Sequence, residues 1–420
     1  MTDTAVTAPT LPPTRLASMD AFRGLTILIM IFVNDVAGVK GIPWWMKHAD
    51  TKDDFMTFVD LVFPAFLFIV GMAIPFAIGR RRERGEALWR VWAHVLVRTA
   101  GLLIVGVFMV NMPANTDAMG FPAQYWSLAV YLAVILVWND YPKTDDGPGR
   151  WLFPALRGIG IGVLITMAIA YRGKSTGADG VETVVRMRTQ WWGILGLIGW
   201  AYLVGCACYL PLRKQIAGMV GMITLLSLLF VADDKGLFNS VPFLPGYVGI
   251  GSQLGSHGSI VVAGCVLGML FFAGSSAQSP RDRIIWMLVF GLGLVAAAWM
   301  IHPLYIISKN LATPTWCLMC SGICCWLFAA IYLLMDVWGF TKWAAIIRPA
   351  GENPLLAYIL PSIVGGAITC FGIATGLYKG NPLWSVANAG GAGIVRSVVW
   401  AFAIVALTGL LGRIRVRLRL

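Results

Sequence analysis

The sequence predicts an all-α, polytopic membrane helix bundle with about twelve transmembrane helices. Apolar residues make up 58% of the 420 residues, charged residues only 12%, and the mean hydropathy is +0.76. A soluble domain contains about 25% charged residues. The apolar residues also fall in long runs, and roughly 20 of them in succession suffice for one helix to cross a bilayer. Composition and run length together exclude an ordinary soluble domain.

Apolar runs separated by polar loops give the candidate spans in chain order, and ten to twelve of them are long enough to count. The fourth run is the shortest of the early ones. The twelve runs cover residues 21–40, 58–79, 91–112, 122–139, 151–171, 191–211, 215–232, 257–274, 284–307, 314–335, 353–376 and 392–411. No period of 20–50 residues recurs along them, so a repeat architecture is not indicated.

The chain divides into a tail and one domain. Residues 1–19 are polar and rich in Pro and Thr, which predicts a disordered cytoplasmic N-terminus. The first apolar run follows Arg15 and Arg23, as a signal peptide would. It is long enough to span and further spans follow it, so we expect an uncleaved first helix. Residues 20–420 are expected to form a single transmembrane domain.

The positions of the basic residues predict that both termini lie in the cytoplasm. The loop after span 2, GRRRERGEALWR, is strongly basic, whereas the next loop, NMPANTDAMGFPAQ, has neither Lys nor Arg. Cytoplasmic loops carry this excess of positive charge. Loop 1–2, with three lysines, and loop 5–6, with four basic residues, break the pattern. The net charge of +12 lies in short loops, which is typical of membrane anchoring and not of nucleic-acid binding.

The eight cysteines lie in or beside apolar runs and do not indicate a metal site. The run CLMCSGICC contains a CxxC motif, so zinc has to be considered. Its cysteines recur at helical spacing within a span, and no nearby His or loop carboxylate completes a set of four ligands. We therefore expect small buried hydrophobic side chains and no metal.

Three polar residues at the predicted outer face could carry acyl-transfer chemistry. Span 1 ends in IFVNDVAG, the following loop contains KHAD, and span 2 begins TFVDLVFP, so Asn34, His48 and Asp60 share one membrane face. A histidine can accept a proton or be acylated, a carboxylate can orient it, and an amide can stabilise an oxyanion. Each also has a structural interpretation: Asp60 as part of a capping box with Thr57, Asn34 as a helix cap, and His48 as an interfacial side chain.

Neighbouring residues on the same face are candidate contacts for an acceptor substrate. Trp44 and Trp45 precede the histidine, where they could form either an aromatic belt or a platform for stacking a sugar. The motif IISKN places Lys309 and Asn310 at the outer end of span 9. The other three histidines, His94, His257 and His302, have no carboxylate at an informative spacing.

Three sequence blocks resemble the transmembrane acyltransferase family of heparan-α-glucosaminide N-acetyltransferase and its bacterial inner-membrane, DUF5009-like homologues. They are SMDAFRGLTILIMIFVND followed by KHAD and FVDLVFPAFLFIVGMAI, then ISKNLATPTWCLMCSGICCWLFAAIYLLMDVWGF, and then RPAGENPLLAYIL. The resemblance implies transfer of an acetyl group from cytosolic acetyl-CoA to an amino sugar, glucosamine or an oligosaccharide ending in it, across a bacterial-type inner membrane. It implies that His48 is catalytic and that Asn34 matches a nearby asparagine of the family.

The resemblance also implies partners. Acetyl-CoA is expected to place its phosphates near Arg23, Arg81 and Asn353 at the inner face, because helix N-termini and basic loops bind anions. A homodimer is expected from the family. The chain departs from the lysosomal branch directly after its histidine, where it reads DTKDDFM, so the acceptor is the least constrained part of this expectation.

Two other classes of function remain open from the residues. A twelve-helix transporter would suit the span count and the basic loop 2–3, although the spans contain few carboxylates to couple ions. A transporter would form no acetyl-CoA-dependent product. A non-catalytic membrane scaffold would not bind CoA at all.

Overall fold

The computed structural model describes residues 16–112, 114–142, 147–176, 182–240, 247–272, 277, 279–378 and 381–419. Most of the predicted N-terminal tail, residues 1–15, therefore lies outside the described residues. The first helix begins at Ala17, four residues before the predicted start of span 1.

Helices account for nearly all of the regular structure, which confirms the all-α class. Eleven helices of the described residues are long and apolar enough to cross a membrane, and the predicted fourth span is a shorter apolar helix. The chain is thus a multi-pass membrane protein. The helices are α1 Ala17–Val36, α2 Phe58–Ile74, α3 Arg80–Glu83, α4 Leu88–Val110, α5 Thr116–Met119, α6 Ala123–Trp138, α7 Gly149–Ala170, α8 Ile194–Leu212, α9 Ile216–Asp234, α10 His257–Met269, α11 Pro280–Ile301, α12 Pro314–Tyr332, α13 Arg348–Glu352, α14 Pro354–Thr375, α15 Pro382–Ser385 and α16 Gly390–Arg413.

The predicted boundaries fail most where glycine and proline obscure the helical pattern. The helical segment of the eighth span begins seven residues before its predicted start at residue 257, because the Gly-rich stretch Ile250–Ser256 forms a π-helical segment that leads into α10. A second π-helical segment, Pro75–Gly79, joins α2 to α3. Loop 5–6 contains an unpredicted antiparallel hairpin of β1 Gly173–Thr176 and β2 Glu182–Val185, in which Gly173 pairs with Val185.

The chain forms two compact units. Unit 1 comprises residues 1–22, 48–95 and 200–343, and unit 2 comprises residues 23–47, 96–199 and 344–420. Each unit is therefore assembled from segments that are distant in sequence. The expectation of a single domain over residues 20–420 stays a prediction.

Helix α10 forms the centre of unit 1. Every residue from His257 to Met269 is buried, as expected of a helix that is apolar on all sides. Small residues allow α10 to approach α2 closely: a Cβ built on Gly71 would overlap the Val261 carbonyl oxygen, and one on Gly268 would lie 2.6 Å from the Met72 carbonyl oxygen. Close backbone approach at small residues is the usual basis of helix packing in membranes. This contact fixes α2, which carries Asp60 at its first turn.

Helix α12 packs against α11 and contains four of the cysteines. Gly322 lies so close to α11 that an added Cβ would be 2.7 Å from the Gly291 carbonyl oxygen. All eight cysteines of the chain are buried and free, as the sequence predicts for small hydrophobic side chains.

Unit 2 contains α6, α7, α13, α14 and α16, and the C-terminal segment is tied to it. Trp126 is fully buried, and its indole N–H donates to the Met167 carbonyl oxygen at 2.8 Å across the α6–α7 pair. Asn353 precedes α14, donates to the Val416 carbonyl oxygen at 2.9 Å and accepts from the Leu418 amide at 3.1 Å. The side chain of Asn353 therefore binds the backbone of the C-terminal segment.

We predict that Gly71→Ala destabilises the protein while Gly293→Ala does not. The new methyl group at residue 71 has no room beside Val261, and overpacking of this kind costs about 1–3 kcal/mol. A Cβ on Gly293, in α11, would meet nothing within 4 Å, so alanine there should be neutral or gain up to about 1 kcal/mol from helix propensity. Thermal unfolding in detergent measures both. Equal effects of the two substitutions would contradict the α2–α10 packing.

Candidate active site

Two loops of unit 1 bring together four of the residues that the sequence indicates. The first loop connects α1 to α2 and contains His48. The second connects α11 to α12 and contains Lys309 and Asn310. Asp60 lies in the first turn of α2 and faces both loops through its side chain. Unit 1 thus assembles a histidine, a carboxylate, an ammonium group and an amide at one place.

The central contact is the hydrogen bond between His48 and Asp60. Their Nδ1 and Oδ1 atoms are 2.6 Å apart, and the side chains are 42% and 1% exposed respectively. An ionised carboxylate only accepts hydrogen bonds, so Nδ1 carries the ring proton and its N–H donates the hydrogen bond to Asp60. The lone pair of the imidazole is then on Nε2, on the exposed side chain. This is the tautomer that a general base or a nucleophile needs.

The second oxygen of Asp60 holds the start of α2. Its Oδ2 accepts from the backbone amides of Ala49 and Thr57, each at 3.1 Å, and from the Thr57 hydroxyl at 3.3 Å. The Thr57–Asp60 capping box predicted as the structural alternative is therefore present. Since its other oxygen binds His48, this one carboxylate both caps the helix and orients the imidazole.

Lys309 lies against the imidazole. Its Nζ atom is 3.0 Å from Nδ1 and 3.3 Å from Nε2 of His48, and 3.8 Å from Oδ1 of Asp60. Since Nδ1 donates to Asp60, Nε2 is the ring atom that can accept from the ammonium group. Burial lowers the pKa of Lys309, and the Asp60 carboxylate acts in the opposite direction. The sequence predicted only that this lysine lies on the same face as the histidine.

Further contacts join the two loops. Asn310 donates to the Ala49 carbonyl oxygen and to the Thr51 hydroxyl, each at 3.3 Å. The Lys309 loop is itself compact, because the Thr313 side chain donates to the Ile306 carbonyl oxygen at 2.7 Å and accepts from the Ser308 amide at 3.1 Å. Asn310 therefore connects the Lys309 loop to the backbone beside His48.

The sequence prediction missed Asp54 and His302, which form a second bridge between the loops. The Asp54 carboxylate accepts from the Ile307 amide at 2.8 Å and from His302 Nε2 at 2.9 Å. The hydrogen bond from Ile307, and then that from His302, lowers the pKa of Asp54 below its usual value. The acidic pair in DTKDDFM was the available signal, but its partner is 248 residues away in the sequence.

Asn34 belongs to unit 2, where it lines a cavity of about 370 Å³ together with Asp35, Tyr358, Trp384 and Trp400. The neighbouring Asp35 accepts from Trp384 Nε1 at 2.7 Å. It also accepts from Ser397 Oγ at 2.6 Å and Arg396 Nη2 at 3.0 Å. Within the residues that the structure describes, the Asn34 side chain makes no hydrogen bond. The structure therefore leaves this amide available to a bound molecule.

The remaining predicted residues occupy separate positions. Trp44 and Trp45 form a short 3₁₀ turn in unit 2 and are 69% and 45% exposed. Arg23 donates to the Gly351 carbonyl oxygen at 3.2 Å. Arg81 pairs with both carboxylate oxygens of Glu86 at 3.1 Å. The roles of Arg23, Arg81 and Asn353 in binding CoA stay predictions, and the structure shows that each of these side chains already has a protein partner.

The two remaining histidines lie on helices α10 and α4. His257 is buried between the rings of Phe63 and Trp316. His94 lies on α4, among the helices of unit 1. No group of three or more His, Cys, Asp or Glu side chains in the part of the chain described here is arranged to hold a metal ion.

Comparison with known proteins supports the resemblance. Residues 15–185 match a family model described as a domain of unknown function, DUF5009. The chain is 34% identical over 132 residues to the human protein named heparan-α-glucosaminide N-acetyltransferase, covering 30% of this chain and 19% of the human one. It is 32% identical over 140 residues to the mouse protein of that name, covering 31% and 21%. The matched region spans about a fifth of the length of these relatives.

The family-model match includes part of the site, namely His48 and Asp60, and also Asn34. In these regions the chain is therefore similar to the DUF5009 family model and to the heparan-α-glucosaminide N-acetyltransferases, as its motifs indicate.

Proposed function

We propose that this protein is a transmembrane acetyltransferase that moves an acetyl group from acetyl-CoA to the amine of an amino sugar. The observation that carries the proposal is the 2.6 Å contact between His48 Nδ1 and the buried Asp60 carboxylate, with the imidazole side chain exposed. The proposal is supported by relatives that are named N-acetyltransferases. Without that support, the same pair would equally suit other acyl transfers.

In a direct transfer, the neutral amine of the sugar attacks the thioester carbonyl carbon. Nε2 of His48 takes a proton from the attacking nitrogen, while Asp60 stabilises the imidazolium that forms. The C–S bond then breaks and CoA leaves as a thiolate, which receives the proton from His48. One amide bond replaces one thioester bond, and the histidine returns to its starting state.

In a two-step transfer, Nε2 of His48 attacks the thioester itself. The C–S bond breaks, an acetylimidazolium forms on Nε2 while Nδ1 keeps its proton, and CoA leaves as a thiolate. The sugar amine then attacks the acetyl carbon and displaces the neutral imidazole, and the proton that the amine loses balances the charge of the thiolate. The tautomer inferred from the Asp60 contact serves both routes, because each begins with an unprotonated Nε2.

Lys309 has the position to stabilise negative charge during either route. In both of them the carbonyl oxygen becomes an oxyanion near Nε2, and the Lys309 Nζ atom is 3.3 Å from that nitrogen. A fixed cation at developing charge is among the largest contributions to catalysis. We also propose that Asn34 takes part in catalysis, as the sequence predicts.

The substrates are proposed to approach from opposite sides of a bacterial-type inner membrane. Acetyl-CoA enters from the cytoplasm, with phosphates near the basic residues Arg23 and Arg81 and near Asn353. The acceptor is glucosamine, or an oligosaccharide ending in it, at the periplasmic face near Lys309 and Asn310. The exposed rings of Trp44 and Trp45 are proposed to contact the outer part of an oligosaccharide.

We predict that His48→Ala lowers acetyl transfer to glucosamine by about 10²–10⁴-fold, the usual contribution of a general base. Formation of acetylated product by purified protein in detergent measures the rate, and size-exclusion chromatography with thermal unfolding checks the fold. His94→Ala, on α4, is the matched control and should retain activity. A His48→Ala enzyme as fast as the wild type would refute the site. Absence of any product with the wild type would favour a transporter.

We predict that Asp60→Asn lowers kcat by up to about 10⁴-fold, as loss of the orienting carboxylate does in catalytic triads. The asparagine oxygen can still accept one hydrogen bond, from either the helix start or His48, but the amide cannot stabilise an imidazolium. The thermal midpoint should change little compared with the rate. If stability falls and the rate of the folded fraction does not, Asp60 serves only to cap α2.

We predict that Asp54→Ala lowers kcat/KM about tenfold or more, because small displacements of a positioned group are costly in rate. The alanine removes the bridge to Ile307 and His302 that holds the Lys309 loop. Asp53→Ala is the matched control, since Asp53 accepts only from Asp50 in its own loop among the contacts described. Equal rates for the two variants would show that the bridge does not position Lys309.

The bridge also has a predictable pH range. Because the pKa of Asp54 is lowered on folding, its stabilising contribution is complete above the ordinary value of about 3.9. It is lost as the pH falls through the lower, folded-state value. The bridge should therefore persist at neutral pH, and Asp54→Ala should lower kcat/KM across the whole neutral range.

A further inference from the structure

Lys309 places a primary amine directly beside the ring nitrogen that is proposed to handle the acetyl group. Its Nζ atom is 3.3 Å from Nε2 of His48. A general base acts on a nitrogen within about 2.6–3.2 Å, and contacts of this kind are often slightly longer before substrates bind. The amine of any acceptor has to come equally close to Nε2. The side chain of Lys309 therefore lies where the chemistry requires an acceptor amine.

The loop that carries Lys309 holds this amine in place. Asn310 donates to the Ala49 carbonyl oxygen of the facing loop at 3.3 Å. The Asp54 carboxylate accepts from the Ile307 amide at 2.8 Å and joins the same two loops a second time. An amine positioned by the fold needs no encounter from solution, because its freedom of movement was lost when the chain folded. Lys309 is therefore a permanent competitor of the external acceptor.

The charge of Lys309 determines how it can react, since only the neutral amine is a nucleophile. An ordinary lysine has a pKa of about 10.4, so only about 0.4% of it is neutral at pH 8. Burial lowers the pKa of Lys309 and raises that share, whereas the Asp60 carboxylate, 3.8 Å away, favours the ammonium form. The charged form can stabilise an oxyanion, and the neutral form can attack. The rate of attack is therefore limited by the share of neutral amine.

We infer that Lys309 is a self-acetylation site, at which the protein modifies itself through His48 when acetyl-CoA is present and an acceptor is absent. The inference rests on the proposed function, because it requires an acetyl donor at His48. Its product, Nε-acetyllysine at residue 309, is distinct from the acetylated sugar. Acetylation removes the charge of a lysine, so the modified site lacks the cation that is proposed to stabilise the oxyanion. The modification therefore lowers the transfer rate of a chain that has no acceptor.

Self-acetylation is balanced in both routes. In the direct route, the neutral Lys309 amine attacks the thioester carbon, an N–C bond forms and the C–S bond breaks. Nε2 of His48 takes one proton from the amine and passes it to the CoA thiolate. In the two-step route, the amine attacks the acetyl carbon of the acetylimidazolium, the bond from that carbon to Nε2 breaks, and the proton that the amine loses neutralises the thiolate. Either way, acetyl-CoA and lysine become acetyllysine and CoA.

The test is peptide mass spectrometry of the full-length protein in detergent during incubation with acetyl-CoA alone. One acetyl group should accumulate on Lys309 with time. Lys214, an exposed residue between α8 and α9, is the internal control. Acetylation by a thioester without catalysis depends on exposure, and the side chain of Lys309 is only 26% exposed. We therefore expect a higher initial rate at Lys309 than at Lys214 only if the site itself catalyses the reaction.

Substitution of His48 separates catalysis from acetylation by chance. His48→Ala should lower the initial rate at Lys309 by about 10²-fold or more, the usual contribution of a general base, and leave the rate at Lys214 unchanged. Removal of the ring also uncovers Lys309, so acetylation without catalysis would become faster. The two explanations therefore predict changes of opposite sign. His48→Gln, whose amide can still donate to Asp60, provides the same comparison if the alanine variant does not fold.

The inference is overturned if Lys309 stays unmodified, if it is acetylated no faster than Lys214, or if loss of the His48 ring does not slow its acetylation. A parallel reaction with glucosamine separates the inference from the proposed function. Acetylated glucosamine together with an unmodified Lys309 in the acceptor-free reaction refutes the inference alone. Acetylation of Lys309 that depends on His48, without any acetylated glucosamine, supports the inference and refutes the sugar as acceptor.

Discussion

The candidate site depends on how one buried carboxylate divides its hydrogen bonds. Asp60 is almost completely removed from solvent, and an unpaired charge in that position would strongly destabilise the fold. Oδ2 takes donors from Ala49 and Thr57, so it is satisfied only when the preceding loop returns over the start of α2. Oδ1 remains for the imidazole. The fold of the loop and the tautomer of His48 therefore have a single cause.

The position of Asp60 also depends on how α2 packs in the core of unit 1. Gly71 allows the backbone of α2 to touch α10, which is buried on every side. Helix α2 has no freedom to slide along α10 without a clash, so the position of Asp60 is fixed from within the unit. The imidazole of His48 binds the carboxylate at the exposed end of this rigid helix pair. The group that orients the imidazole therefore has a fixed position within unit 1.

Local patterns in the sequence predicted the helices and the His48–Asp60 pair, because both depend on short spacing. Thr57 and Asp60 have capping-box spacing, and His48 is only 12 residues before Asp60. Contacts between distant segments could not be predicted in this way. The Asp54–His302 bridge joins residues 248 positions apart, and no local pattern distinguishes His302 from a structural histidine.

Side chains with two plausible partners were equally difficult to predict. Asn353 occupies a helix start that suits an anion, yet its amide binds the backbone of residues 416 and 418. The π-helical segment before α10 was also missed, because glycine and serine predominate in it and its sequence resembles a loop. In both cases tertiary packing decides between local alternatives that the sequence leaves equal.

The separation of Lys309 from His48 by 261 residues has a consequence for biosynthesis. The ribosome synthesises His48 and Asp60 close together, whereas Lys309 follows only after the nine helices α3 to α11 of the described residues. A nascent chain therefore contains a half-built centre for most of its translation, and the last components arrive with the final third of the polypeptide. Premature release would yield an inserted but incomplete protein.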